Sequence, residues 1–153
     1  MIKEVPDKDA TRAIDLVRRV FSEFVAMEYP QQGRDTFEAY LQNILKDASE
    51  GRKHEGKKMW AYYQGDEILG VIEIMETSHI ALLFVDKAFH GKGIARQLFQ
   101  TALEAIKQNR GVTHITVNSS NYAAKVYEQL GFVQTGDQQE KDGIVFIPFR
   151  LTL

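Results

Sequence analysis

Between His79 and Lys107 the hydrophobic pattern changes period within a few residues. HIALLFVD, residues 79–86, is a continuous apolar run of strand length, whereas Ile94, Leu98, Ala102, Ala105 and Ile106 recur at helical spacing. The handover falls in FVDKAFHGKGIARQLFQ, residues 84–100, where two glycines flank a lysine. A strand that turns directly into an amphipathic helix must lay that helix across its own sheet, so the unit demands a layered α/β arrangement. Gly91 and Gly93 allow a tight turn that brings successive N–H groups to one side. The helix that follows leaves its first N–H donors unpaired and its positive dipole end exposed. Together these form a site for phosphate oxygens, with Lys92 and Arg96 adding charge at its rim. The glycines alone fit a purely steric turn equally well. Two other phosphate motifs are excluded. Lys92 is followed by Gly93 where a P-loop needs Ser or Thr, and Arg96 stands where a dinucleotide fingerprint starting at Gly91 needs Gly or Ala.

The rest of the chain supplies the layers. Residues 2–5 read as a short strand, after which Pro6 and Asp7 or Asp9 open a helix with the apolar stripe Ile14, Val17, Phe21, Phe24. Asp35 and Glu38 resemble a capping box that opens a second helix with Phe37, Tyr40, Leu41, Ile44, Leu45 and Ala48 on its buried side. Between the two helices lies the loop AMEYPQQGR, which carries Glu28 and Tyr29; SEGRKHEGKK, residues 49–58, reads as an exposed loop. MWAYYQ, EILGVIEIME and HIALLFVD then predict an antiparallel meander with breaks at Gly65-Asp66 and Thr77-Ser78. VTHITVN is a further strand, and Ser119 or Ser120 caps a short helix whose face carries Ala123, Val126, Tyr127 and Leu130 before Gly131 ends it. FVQTG and IVFIPFRLTL close the chain as a hairpin across a turn with Asp142-Gly143, with Pro148 expected at an edge or a bulge. The predicted order is βααβββαβαββ. It implies one mixed α/β domain over residues 1–153 built around an antiparallel meander.

Composition narrows the function. The 153 residues suffice for one core that buries roughly two thirds of the unfolded surface. Nineteen basic and 21 acidic side chains leave a net charge of -2, so no global field draws the chain to nucleic acid or to anionic membrane. The absence of cysteine excludes a disulfide scaffold, a cysteine nucleophile and thiolate metal ligation. His54, His79, His90 and His114 show no ligand spacing, so no metal is expected. The amino terminus lacks the apolar stretch of a signal peptide and the longest apolar run is too short to span a bilayer, which predicts a cytoplasmic protein.

HGKGIA, residues 90–95, resembles the Arg/Gln-x-x-Gly-x-Gly/Ala signature of the GCN5-related N-acetyltransferases, with His90 in place of Arg or Gln. HIALLFVDKAFHGKGIARQLF is similar to that family's fourth strand, pyrophosphate loop and third helix. VTHITVNSSNYAAKVYEQLGFVQTG is similar to its fifth strand and fourth helix, ending in a Tyr-Glu-x-x-Gly-Phe element. The resemblance implies an α/β (α+β) fold with a central, mostly antiparallel twisted sheet of six to seven strands and helices on both faces. It also implies an acetyl-CoA-dependent N-acetyltransferase that transfers acetyl to a primary amine by direct attack in a ternary complex. It implies that pantetheine lies as an extra strand along Leu83, Phe84 and Val85, and that the pyrophosphate falls on the loop with His90, Gly91, Lys92, Gly93, Ile94, Ala95 and Arg96. A backbone N–H near Phe84 or Val85 would face the oxyanion. Asn118 and Asn121 match positions that hold pantetheine or substrate, although asparagine also commonly ends strands and starts helices.

Tyr127, the tyrosine of the Tyr-Glu-x-x-Gly-Phe match, is the expected catalytic acid. A phenol with a pKa near 10 is protonated at neutral pH and can supply a proton to a thiolate whose pKa is near 8.5. On spacing alone Tyr127 equally fits a core tyrosine. Glu73 and Glu76 on the third predicted strand, and His79 at the start of the fourth, are candidates for the base, but the face each occupies cannot be fixed by alternation. Glu28 and Tyr29 fall where the family shapes its acceptor pocket. The acceptor, a small-molecule or protein amine, is left open. The resemblance also implies that the final hairpin could form a homodimer interface. A non-catalytic acyl-CoA-binding or sensing domain on the same scaffold is the alternative.

Overall fold

Residues 1–153 are described by a computed structural model in which eight strands form one sheet with helices on both faces. The strands are β1 (Ile2–Glu4), β2 (Lys58–Gln64), β3 (Glu67–Met75), β4 (His79–Val85), β5 (His114–Ser119), β6 (Val133–Gln134), β7 (Gln139–Lys141) and β8 (Ile144–Thr152). The helices are α1 (Ala10–Phe24), α2 (Gln31–Ser49), α3 (Ile94–Lys107) and α4 (Ala124–Gln129). The sheet runs β1-β2-β3-β4-β5-β8-β6, with β7 also paired to β8. Every pairing is antiparallel except the one between β4 and β5.

Alternation along the central strands divides the core in two. On one face Leu69, Ile72, Ile74, Ile80 and Val85 meet Ile94, Leu98, Phe99 and Ile106 of α3. On the other, Val71 and Leu82 meet Ile14, Val17, Leu41 and Ile44 of α1 and α2. β3 is buried along almost its whole length because it is covered from both sides. The expected apolar stripe of α1 holds at Ile14, Val17 and Phe21, which are buried, and Phe24 is half-buried.

Three local expectations are corrected. Helix α2 begins at Gln31 rather than at Asp35: Pro30, extended at φ -65°, takes the N-cap, and its carbonyl accepts from the N–H groups of Gly33 and Arg34. Asp35 and Glu38 therefore lie inside the helix, where Asp35 accepts from Gln31 and Glu38 pairs with Arg18 at 2.7 Å. The hairpin across Asp142-Gly143 joins β8 to β7, an additional strand, while β6 pairs with a later part of β8. Pro148 sits in β8 opposite Asn118, inside the sheet. Its carbonyl accepts from the N–H of Thr135, just past the end of β6, so its missing donor faces the gap between β6 and β7 and no ladder bond is lost.

The β4–β5 junction positions everything that follows. It consists of two paired positions, His79 with Thr116 and Ile80 with Val117, reinforced by His79 Nδ1 and Thr116 Oγ1 at 2.7 Å. At the next residue β4 bulges: Glu73 faces Leu82 and Ile74 faces Ile80, leaving Ala81 unopposed. Beyond the bulge β4 has no partner on the β5 side.

Candidate active site: a cleft between two parting strands

The parted strands enclose a cavity of about 500 Å³. It opens between β4 and β5, reaching from the loop before α3 on one face to α1 and α2 on the other. Backbone chemistry dominates its β4 wall. The N–H of Asp86 bonds the carbonyl of Leu69, and because an antiparallel ladder alternates, Phe84 also spends its backbone groups on β3. Leu83 and Val85 therefore turn theirs into the gap. All three residues line the cavity, but Phe84 does so through its ring.

The loop at the mouth of the gap has a matching surplus of donors. Gly91 and Gly93 adopt φ of 76° and 82°, and a side chain at either position would meet open space. No N–H from Gly91 through Arg96 has an acceptor in the protein; the first bond of α3 runs from Gln97 to the carbonyl of Gly93. Six free donors at a helix N-terminus suit an anion. Of the loop residues, His90, Gly91, Gly93, Ile94, Ala95 and Arg96 line the cavity and Lys92 does not. Lys92 instead sits over the ring of Phe89, and Arg96 donates to the carbonyl of Gln129 at the end of α4.

His90 holds a position that its spacing did not reveal. Its Nε2 donates to the carbonyl of Val85 at 2.7 Å, one of the acceptors turned into the gap, and its Nδ1 lies 3.2 Å from the hydroxyl of Tyr122 across the mouth. Phe24 stacks on Tyr122 at 4.7 Å and tilts against His90 at 5.5 Å. Three rings from α1, from the loop before α3 and from the loop before α4 thus meet over the opening. Neither Tyr122 nor Phe24 carried a functional signal in the sequence: both lie far along the chain from the glycine loop, and Phe24 read only as part of the apolar stripe of α1.

Tyr127 lines the cavity from α4, 4% exposed, edge-on to Phe132 at 5.6 Å. Its hydroxyl has no hydrogen-bond partner in the protein and yet is not sealed in the core. Burial pushes its pKa well above that of an ordinary phenol, so it holds its proton firmly. The ring belongs to the core, as its helical spacing alone predicts, and the residue also lines the cavity. Asn118 lines the cavity with its amide unengaged, whereas Asn121 lies outside it and donates to Glu28 and to Gln138.

The carboxylates expected near the chemistry lie elsewhere. Glu73 is 3% exposed under α2, where the hydroxyl of Tyr40 donates to it, and it borders a separate small cavity with Asp47, His54 and Lys57. Glu76 follows β3 in an exposed turn at φ 51°, and His79 is held by Thr116 at the closed end of the gap. Glu28 accepts from the N–H groups of Asn121 at 2.8 Å and Tyr122 at 3.0 Å, so it ties the loop before α4 to the end of α1 and stays outside the cavity. Tyr29, its neighbour, does line the cavity, and burial raises its pKa to about 12. The whole lining contains no Asp or Glu. Across the chain, no three His, Cys, Asp or Glu side chains gather as a metal site.

The fold as a whole is shared with many solved structures. A GCN5-related N-acetyltransferase from Rhodopseudomonas palustris matches with TM-score 0.73 at 17% identity over 100% of this chain and 95% of its own. The PaiA N-acetyltransferase of Thermoplasma acidophilum, solved with coenzyme A, matches with TM-score 0.73 at 15% identity over 100% and 98%. An aminoglycoside 6'-N-acetyltransferase, also solved with coenzyme A, matches with TM-score 0.70 at 15% identity over 99% and 96%. No curated protein sequence matches. The model of the acetyltransferase (GNAT) domain matches residues 25–153, and the chain belongs to the GCN5-related N-acetyltransferase family.

Proposed function

We propose that residues 1–153 act as one N-acetyltransferase domain that moves acetyl from acetyl-CoA directly to a primary amine in a ternary complex. The observation that carries this reading is the run of six unpaired N–H groups, Gly91 to Arg96, at the mouth of a cavity that also takes in the open edge of β4 and Tyr127. A diphosphate fits the free donors, with Arg96 beside them. An amide-bearing tail fits the outward backbone groups of Leu83 and Val85, as an added strand fits any open sheet edge. Asn118 offers an unengaged amide on the opposite wall.

In the reaction the amine nitrogen forms a bond to the acetyl carbon as the carbon–sulfur bond breaks, and the nitrogen loses one proton. The sulfur gains one, which Tyr127 supplies, and the proton that the nitrogen releases returns through water to restore the phenol. The outward N–H of Val85 is the available donor to the carbonyl oxygen as negative charge builds there, because that of Phe84 is committed to β3. With no carboxylate in the lining, the nitrogen's proton leaves through water. No cysteine offers a covalent route. No helix is long and apolar enough to cross a membrane.

The test is amine-dependent thiol release from acetyl-CoA by the protein and by Tyr127→Phe. The expected result is a fall in kcat of about 10²-fold or more for the variant, with CoA affinity unchanged within about twofold. CoA binding without thiol release from any amine would instead identify an acyl-CoA sensor, and equal turnover by the variant would remove Tyr127 from the chemistry.

A further inference from the structure

The acceptor half of the cavity has a chemical character of its own. Once the loop before α3 and the β4 edge are assigned to the acetyl donor, what remains lies on the α1 and α2 face, walled by Phe21, Val25, Tyr29, Phe37, Ala81 and Phe84. Phe21 and Phe37 stack at 4.1 Å, Tyr29 leans on Phe21 at 5.5 Å, and Phe37 leans toward Phe84 at 6.1 Å, giving a continuous aromatic wall. No carboxylate reaches it. Glu28 is consumed by the loop before α4 and Glu73 by Tyr40. Arg34 donates to the carbonyls of Tyr29 and Ala26, adding a cation behind the wall, and Arg96 is the single Lys, Arg, Asp or Glu of the lining.

From this we infer that the acceptor is an apolar monoamine, a primary amine on an aromatic or alkyl body with no second charge. The inference rests on the transferase reading. A polyamine or an aminosugar would bring cationic groups into a chamber with no anion to pair them, and an unpaired buried charge costs several kcal/mol. The same environment favours the neutral form of the reacting amine, the form that can attack, and so removes the need for a carboxylate base. An aromatic ring on the acceptor would pack edge-on or offset against Phe37 and Phe21.

The experiment compares kcat/KM for 2-phenylethylamine and hexylamine with that for spermidine and kanamycin, by thiol release at fixed acetyl-CoA. The apolar monoamines are expected to exceed spermidine and kanamycin by at least tenfold, and equal or faster turnover of either polycation overturns the inference while leaving the transferase reading intact. Phe37→Leu should cut kcat/KM for 2-phenylethylamine about three- to tenfold with the KM for acetyl-CoA unchanged. Phe21→Leu, read the same way, serves if the first variant does not fold; no effect from a folded variant overturns the assigned wall. If no amine turns over although CoA binds, the transferase reading fails. Calorimetry on the CoA complex then decides the inference by itself: tighter binding of 2-phenylethylamine than of spermidine supports it, and the reverse order, or no binding of either, overturns it.

Discussion

His90 shows how one side chain can set the terms on which a tail enters the gap. Its imidazole N–H already occupies the carbonyl of Val85, so an incoming amide must displace it before making the same bond. A typical net hydrogen bond contributes about 1 kcal/mol. His90→Ala should therefore lower the Kd for CoA about fivefold by calorimetry; an increase in Kd would mean that the imidazole holds the ligand and not the empty edge. The family's Arg or Gln at this place was readable from HGKGIA, but the bond to Val85 was not. Sequence spacing places His90 beside the glycines, and only folding brings it back over the end of β4. Tyr122, 32 residues further on, was invisible for the same reason. The place of Tyr127 on the inner face of α4 was legible from its helical spacing, and only the Tyr-Glu-x-x-Gly-Phe match pointed beyond a core residue.

Among the elements, the unit from β4 through α3 was fully legible because two hydrophobic periods meet at the glycines. β7 was not, since Gln139–Lys141 is exposed at every residue and shows no alternation. Glu73 was placed on the right strand, but β3 is buried from both faces and gave no contrast from which to read its side. Burial raises the carboxyl of Glu73 above its ordinary 4.5, against the opposing pull of Tyr40 and Lys57. Its contribution to stability is thus full below that ordinary value and lost as pH rises through the raised one. Glu73→Gln should match the parent in urea near pH 4 and exceed it at pH 7, and a gap independent of pH would refute this account. A second element-scale prediction concerns the β7–β8 turn, which docks on α2 where Gly33 meets Gly143 and Thr36 donates to the carbonyl of Asp142 at 2.7 Å. A side chain on Gly33 would lie 1.9 Å from the carbonyl oxygen of Gly143. Gly33→Ala should cost about 1–3 kcal/mol and lower Tm, because backbone on both sides must move. An unchanged Tm would show that the turn undocks freely.

At the scale of the whole molecule, the sheet is two antiparallel blocks joined by the two paired positions of β4 and β5, with Glu28 strapping the loop before α4 to the end of α1. The meander and most of the order of elements followed from periodicity, with β7 missed, whereas the two-sided layering and the parting of the strands came only with the family resemblance, since nothing in HIALLFVD says which neighbour it lacks. A ligand that bridges the two blocks should stabilise both together. CoA at about 100 times its Kd should add about 2.7 kcal/mol, roughly 5–11 °C in Tm for a chain of this size, with one cooperative transition. No shift at millimolar CoA would end the functional proposal. The parting of the strands also has a kinetic signature. The amide hydrogen of Asp86 is locked to Leu69 and that of Phe84 shares its side, while those of Leu83 and Val85 look into the cavity. Deuterium should enter the free protein along this one strand in an odd–even rhythm, quick at 83 and 85 and slow at 84 and 86, and a bound tail should silence the beat.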